Sequence, residues 1–104
     1  MQIDLTGKKA VVTGGNIGIG RAISMNLAQY GAEVALTYYS HQEAAEETVN
    51  MITSAGGKAT AYPLDVTDHN QVKVIVDQAA ESFSGRIDIL VNNAGHLVAR
   101  QKIE

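Results

Sequence analysis

Cysteine is absent from the chain, so neither a disulfide framework nor a thiolate nucleophile is available. The three histidines, His41, His69 and His96, are scattered without metal-ligand spacing, which argues against a zinc site and puts His69 and His96 on the surface or in loops. Basic charge is also scarce. Eight Lys and Arg face eleven Asp and Glu, the net charge is -3, and Lys8-Lys9 is the single adjacent basic pair. Such a chain has no basic field with which to wrap nucleic acid. No apolar run approaches the roughly 20 residues that span a bilayer, and residues 1 to 9 lack the apolar stretch of a signal peptide, so the default location is the cytoplasm and no membrane partner is expected. Proline occurs once, at Pro63.

What remains is ordinary for a small globular domain: 104 residues, 45% hydrophobic and 18% charged, with ten glycines. Residues 9 to 13 read as a strand, a short apolar run of the kind that is buried on both faces. The sequence Thr13-Gly14-Gly15-Asn16-Ile17-Gly18-Ile19-Gly20 follows at once and opens into a helical pattern, with Ile19, Ile23, Leu27 and Tyr30 on one stripe and Gly31 as the stop. Val34-Ala35-Leu36 predicts the second strand. Residues 42 to 55 predict a second helix with Ala45, Val49 and Ile52 inside and an acidic outer face. A third strand is predicted over 59 to 64. Pro63 cannot donate a ladder hydrogen bond, which places this strand at a sheet edge. A third helix is predicted over 68 to 83, with Val72, Ile75, Val76, Ala79 and Phe83 as its apolar stripe, and a fourth strand over 87 to 91. The alternation of strand and helix predicts an α/β fold with a doubly wound parallel sheet in the order 3-2-1-4.

The glycine turn carries the functional signal. A helix start offers free backbone N–H groups and the positive end of its dipole to an anion. Glycine there allows a pyrophosphate to approach closely and permits positive φ angles. The spacing is G-x-x-x-G-x-G, distinct from the common G-x-G-x-x-G.

Together with Asp65-Val66 and Asn92-Asn93-Ala94-Gly95, the T-G-x-x-x-G-x-G turn resembles the classical branch of the short-chain dehydrogenase/reductase family, and residues 1 to 104 fit the first half of that family. The resemblance implies a Rossmann-type domain truncated after strand four, with this chain as its dinucleotide-binding half. It also implies hydride transfer between nicotinamide and a small carbonyl or secondary alcohol. The cofactor-binding residues it implies begin with Gly14, Asn16, Ile17, Gly18, Ile19 and Gly20 around the pyrophosphate. Asp65 would accept a hydrogen bond from the adenine amino group while Val66 packs on the ring. Asn92 would tie neighbouring strands, and Asn93, Ala94 and Gly95 would lie against a ribose. Asp65 could equally make an Asx turn or a cap leading to Asp68.

Tyr38 stands after strand two, where an acid would bind the adenosine ribose and repel a 2'-phosphate. Its presence favours NADP(H), with Ser40 and His41 as donors to that phosphate. The basic residues that often accompany this preference are missing, since Ile17 and Tyr39 occupy their places, and NAD(H) stays open. Tyr38 and Tyr39 could also simply pack a strand end.

The resemblance further implies a catalytic tyrosine with a lysine four residues later, a serine and an asparagine, all beyond strand four. The fourth residues after Tyr30, Tyr38, Tyr39 and Tyr62 are Val34, Gln42, Glu43 and Val66, so no Tyr-x-x-x-Lys occurs and no catalytic residue is assigned. The chain is therefore expected to be an amino-terminal half, inactive alone and homo-oligomeric if full length, with strand four left as an apolar edge. The rival readings are a non-catalytic dinucleotide-binding module, an assembly fragment that pairs through strand four, and a methyltransferase with a related sheet.

Overall fold

The computed structural model describes residues 3 to 93. They form β1 (Lys9–Thr13), α1 (Gly18–Gln29), β2 (Glu33–Tyr38), α2 (Gln42–Ser54), β3 (Lys58–Pro63), α3 (His69–Ser82) and β4 (Ile89–Asn92). All pairings are parallel and the strand order is β3-β2-β1-β4. Every connection is a helix, because a parallel neighbour can be reached only by a crossover. Pro63 ends the outermost strand, opposite Tyr38, where its missing N–H disturbs no further ladder.

The core divides between the two faces of the sheet. Ala10, Val12, Val34 and Leu36 point to one face and meet Ala28 of α1 and Ala45 and Ile52 of α2. Val11 and Ala35 point to the other, against Ala79 of α3 and the following Phe83. The period-two alternation of a strand makes this division, and both faces of β1 and β2 are apolar because helices lie on both sides.

The stripe expected on α1 is corrected. Gly20, Ser24 and Ala28 are the buried residues, while Ile19 is 73% and Tyr30 41% exposed. A spacing of four keeps these small side chains on one line, and space on that line is short, since a Cβ on Gly20 would fall 2.7 Å from Asn93 Nδ2 and closer still to the Gly14 backbone. Ile23 and Leu27 flank that line and pack against the core from its side. On α2 the buried residues are Ala45, Thr48 and Ile52, with Val49 at the margin. On α3 they are Ile75 and Ala79.

Asp68 caps α3, its carboxylate accepting from the N–H groups of Asn70 (3.1 Å) and Gln71 (3.2 Å). At the foot of the sheet Asp88 holds β4 to β1. Its carboxylate accepts the Lys9 N–H (2.8 Å), and its own N–H donates to the Lys9 carbonyl (2.8 Å). The Lys9 N–H bond, with Arg86 beside it, keeps the Asp88 carboxyl below the usual carboxylate range. Among the described residues no helix is long and apolar enough to cross a membrane.

Candidate functional site

Parallel strands bring all their carboxyl ends to one edge, so Thr13, Tyr38, Pro63 and Asn92 end side by side and the loops that follow them share that edge. Most of the polar residues singled out from the sequence are carried on those loops.

The β1–α1 turn is held from below. The Gly14 N–H donates to the Thr37 hydroxyl (3.2 Å) and the Gly15 N–H to the Thr37 carbonyl (3.1 Å). Gly14 (φ 66°) and Gly18 (φ 56°) are left-handed, a conformation that costs other residues more. A Cβ on Gly18 would meet nothing within 4 Å, whereas one on Gly20 would fall 1.9 Å from the Gly14 carbonyl oxygen. Gly18 therefore keeps a surface clear, and Gly20 lets α1 sit on the turn. Ile17, the residue before α1, makes no side-chain cap, and the first turn holds no acid. Uncapped N–H groups at the positive end of a helix, beside an open glycine, fit a phosphate. A dinucleotide's pyrophosphate fits on the same grounds.

Asn16 is 4% exposed and faces inward. Its amide Nδ2 donates to the carbonyls of Ser40 (3.2 Å) and His41 (3.5 Å), so the glycine turn holds the β2–α2 loop in place. Arg21 completes the connection. Its Nε–H is shared between the Asn16 carbonyl (3.1 Å) and the Thr48 hydroxyl (2.8 Å), one terminal nitrogen donates to the Ala44 carbonyl (3.2 Å), and the other pairs with Glu47 (3.0 Å). The buried Thr48 hydroxyl also lies 3.0 Å from the Asn16 carbonyl and 2.9 Å from that of Ala44. Tyr38 is half-buried against the core, Tyr39 is 77% exposed, and Ser40 and His41 are exposed. Ser40 Oγ lies 2.9 Å from His41 Nδ1, and His41 itself is left-handed (φ 62°).

Beyond β3, Asp65 forms the Asx turn. Its Oδ1 accepts from the Thr67 hydroxyl (2.6 Å) and the Thr67 N–H (3.0 Å), which together hold the carboxyl below its usual range. The Asp65 N–H donates to the Gln71 side-chain oxygen, joining this loop to α3. Val66 is half-buried beside it.

At the end of β4, Asn92 and the following Asn93 both make ties. Asn92 Oδ1 accepts from the Thr13 hydroxyl (3.3 Å). Asn93 donates through its N–H to the Thr13 hydroxyl (2.9 Å) and through Nδ2 to the Gly14 carbonyl (3.2 Å). Asn93 thus touches the glycine turn itself. Ala94, Gly95 and His96 lie outside the described residues. His69 is exposed at the start of α3, and among the described residues no three metal-ligating side chains gather.

Arg21, Thr48 and Thr37 were not singled out from the sequence. A signal existed for Thr48, which is three residues after Ala45 and four before Ile52 on the inner stripe of α2. A hydroxyl on that stripe needs a buried partner. Arg21 follows the last motif glycine, and its partners are distant in sequence.

The short chain dehydrogenase family model matches residues 8 to 104. The short-chain dehydrogenase/reductase homolog YusS of Bacillus subtilis is 49% identical over 92 residues, which cover 88% of this chain and 84% of that one. An uncharacterized oxidoreductase of Methylorubrum extorquens is 48% identical over 91 residues, covering 88% of this chain but 36% of the relative. The crystal structure of a short chain dehydrogenase from Burkholderia cenocepacia in complex with NADP superimposes with a TM-score of 0.83 at 49% identity, over 88% of this chain and 37% of that one. The chain therefore spans little more than a third of the latter two proteins. With its glycine turn, strand order and polar carboxyl edge in place, this chain belongs to the short-chain dehydrogenase family of oxidoreductases.

Proposed function

We propose that this chain supplies the dinucleotide-binding half of a short-chain oxidoreductase that prefers NADP(H) and moves a hydride between nicotinamide and a small carbonyl or secondary alcohol. The observation that carries the reading is the uncapped start of α1 beside the open, left-handed Gly18. The pyrophosphate would lie there, on N–H groups of the turn formed by Gly14, Asn16, Ile17, Gly18, Ile19 and Gly20. Adenine would lie at Asp65 and Val66, and a ribose at Asn93, Ala94 and Gly95. Bound nicotinamide supplies the hydride chemistry. The residues of this chain bind and orient the dinucleotide and supply no general acid or base.

The cofactor preference rests on Tyr38, which puts no carboxylate at the end of β2, and on exposed Ser40 and His41 next to it. The Burkholderia protein, 49% identical, was crystallised with NADP. A second reading, a dinucleotide-binding module without turnover, is favoured by the short Bacillus homolog, of which the match covers 84%.

Titration of NADP+ and NAD+ into the purified protein tests both readings. Gly18→Val should weaken each dinucleotide at least tenfold, because the β-branched side chain is strained at positive φ and fills the phosphate approach. Tyr38→Asp should reverse the preference toward NAD+ by repelling the 2'-phosphate. Unchanged affinity in a folded Gly18→Val protein sinks the phosphate site. Tight binding without turnover is expected of this chain on both readings, and tight binding without turnover by the protein at the full length at which its own cell makes it selects the module.

A further inference from the structure

The bonds of Arg21 differ in kind. The Glu47 carboxylate it pairs with is 64% exposed, and such a pair contributes little. Its other targets, the Asn16 and Ala44 carbonyls and the buried Thr48 hydroxyl, belong to two separate elements. Asn16 is the next link, since both of its Nδ2 bonds run to carbonyls of the β2–α2 loop. That loop ends in His41 at φ 62°, a conformation that residues other than glycine adopt rarely and that needs restraint from outside. An unbroken path of hydrogen bonds thus runs from α2 through Arg21 and Asn16 to Ser40 and His41.

We propose that Arg21 is a positioning residue for cofactor discrimination: with the Thr48 hydroxyl it clamps the glycine turn to α2, and through Asn16 it fixes the Ser40–His41 loop beside the ribose position. The inference rests on the reading of that loop as the segment that meets a 2'-phosphate. Arg21 touches no reacting atom. Its planar fork reaches four partners in fixed directions, which a lysine ammonium, as a point charge on a flexible stem, cannot reproduce. NADP(H) draws on the loop through its 2'-phosphate and NAD(H) does not, so loosening the clamp acts on the first more than on the second.

The test titrates NADP+, NAD+ and adenosine 2',5'-bisphosphate into the purified protein, Arg21→Gln, Arg21→Lys, Thr48→Val and Thr48→Ser, with folding followed by circular dichroism. Arg21→Gln should weaken NADP+ and the bisphosphate about tenfold, the size of a lost charged hydrogen bond, while NAD+ changes much less. Arg21→Lys should recover only part of this. Thr48→Val should lower the NADP+ to NAD+ affinity ratio in the same direction, and Thr48→Ser, which keeps the hydroxyl, should restore it. A merely structural role would weaken both dinucleotides alike and leave the ratio unmoved. An unchanged ratio in folded Arg21→Gln overturns the inference; where that variant does not fold, an unchanged ratio in Thr48→Val overturns it. Parent protein that binds neither dinucleotide overturns the proposed function along with it, whereas a parent that binds while the ratio stays fixed overturns this inference alone.

Discussion

The two faces of the sheet differ in how far their cover extends. On the face under α1 and α2, the row Val91, Val12, Leu36 and Ala61 crosses all four strands, with Val12 and Leu36 at 0% exposure and both outer residues at least half-buried. On the face under α3, the row Leu90, Val11, Ala35 and Thr60 is buried only in the middle. Val11 and Ala35 are at 2% and 1%, but Leu90 is 64% exposed and Thr60 is exposed at the other edge. Two helices cover all four strands, while the one helix covers the middle two and reaches only Tyr62 of β3 at its margin. The residues of β4 are apolar on both faces, which is the composition of a strand buried from both sides, yet among the described residues only one of its faces is covered. Its exposed leucine marks where the sequence carries a core position that the described part leaves open.

Leu36→Ala should have the largest effect, since Leu36 fills the centre of the doubly covered face. A loss of about 3 kcal/mol in unfolding free energy, measured by urea denaturation, is the expected scale for a leucine deleted from a closed core. A loss below about 1 kcal/mol would show that this face packs loosely and would erase the contrast.

Acid should act next, on the attachment of β4. The folded-state pKa of Asp88 is depressed by the Lys9 N–H bond and Arg86, so its contribution is fully present above the ordinary carboxylate value of about 3.9 and is lost as pH falls through the lower folded value. Asp88→Asn should therefore be less stable than the parent at neutral pH, and the gap should close as pH falls below the ordinary carboxylate value and through the lowered folded one. A gap that stays constant over that range would detach the carboxylate from the strand pairing. Asp65 and Asp4, each lowered by hydrogen bonds from a threonine two residues on, shift acid stability in the same direction.

Leu90→Ser should matter least to the folded monomer, changing stability by less than about 0.5 kcal/mol, as for a surface site. Any self-association of the purified chain should weaken in the same variant, read by sedimentation. A cost comparable with that of Leu36→Ala would mean that Leu90 is covered in solution, and the two faces would then be alike.

The element order was legible because each run of residues has one period and a punctuating residue. Pro63 identified the edge strand, and Ala79 and Phe83 marked the inner stripe of α3. The inner stripe of α1 was misjudged for a specific reason. Hydrophobic periodicity finds the greasiest line along a helix, but where a helix sits directly on a sheet the contact line is set by size, and Gly20, Ser24 and Ala28 win over Ile19 and Tyr30. The glycine turn was legible as a turn of left-handed residues, because positive φ angles such as those of Gly14 and Gly18 leave few alternatives to glycine. The clamp behind it was not, since Arg21 and Thr48 are 27 residues apart and nothing local relates them.

By itself the sequence determined the alternation of strands and helices, the sheet order, and the polar edge at which the loops collect, because those follow from period, handedness and the chemistry of glycine and proline. Only the tertiary structure decided which helix line meets the sheet, that Asn93 reaches the Gly14 carbonyl, and that Arg21 links α2 to the turn. These depend on the distance between elements, and that distance is fixed by how side chains of particular sizes pack together.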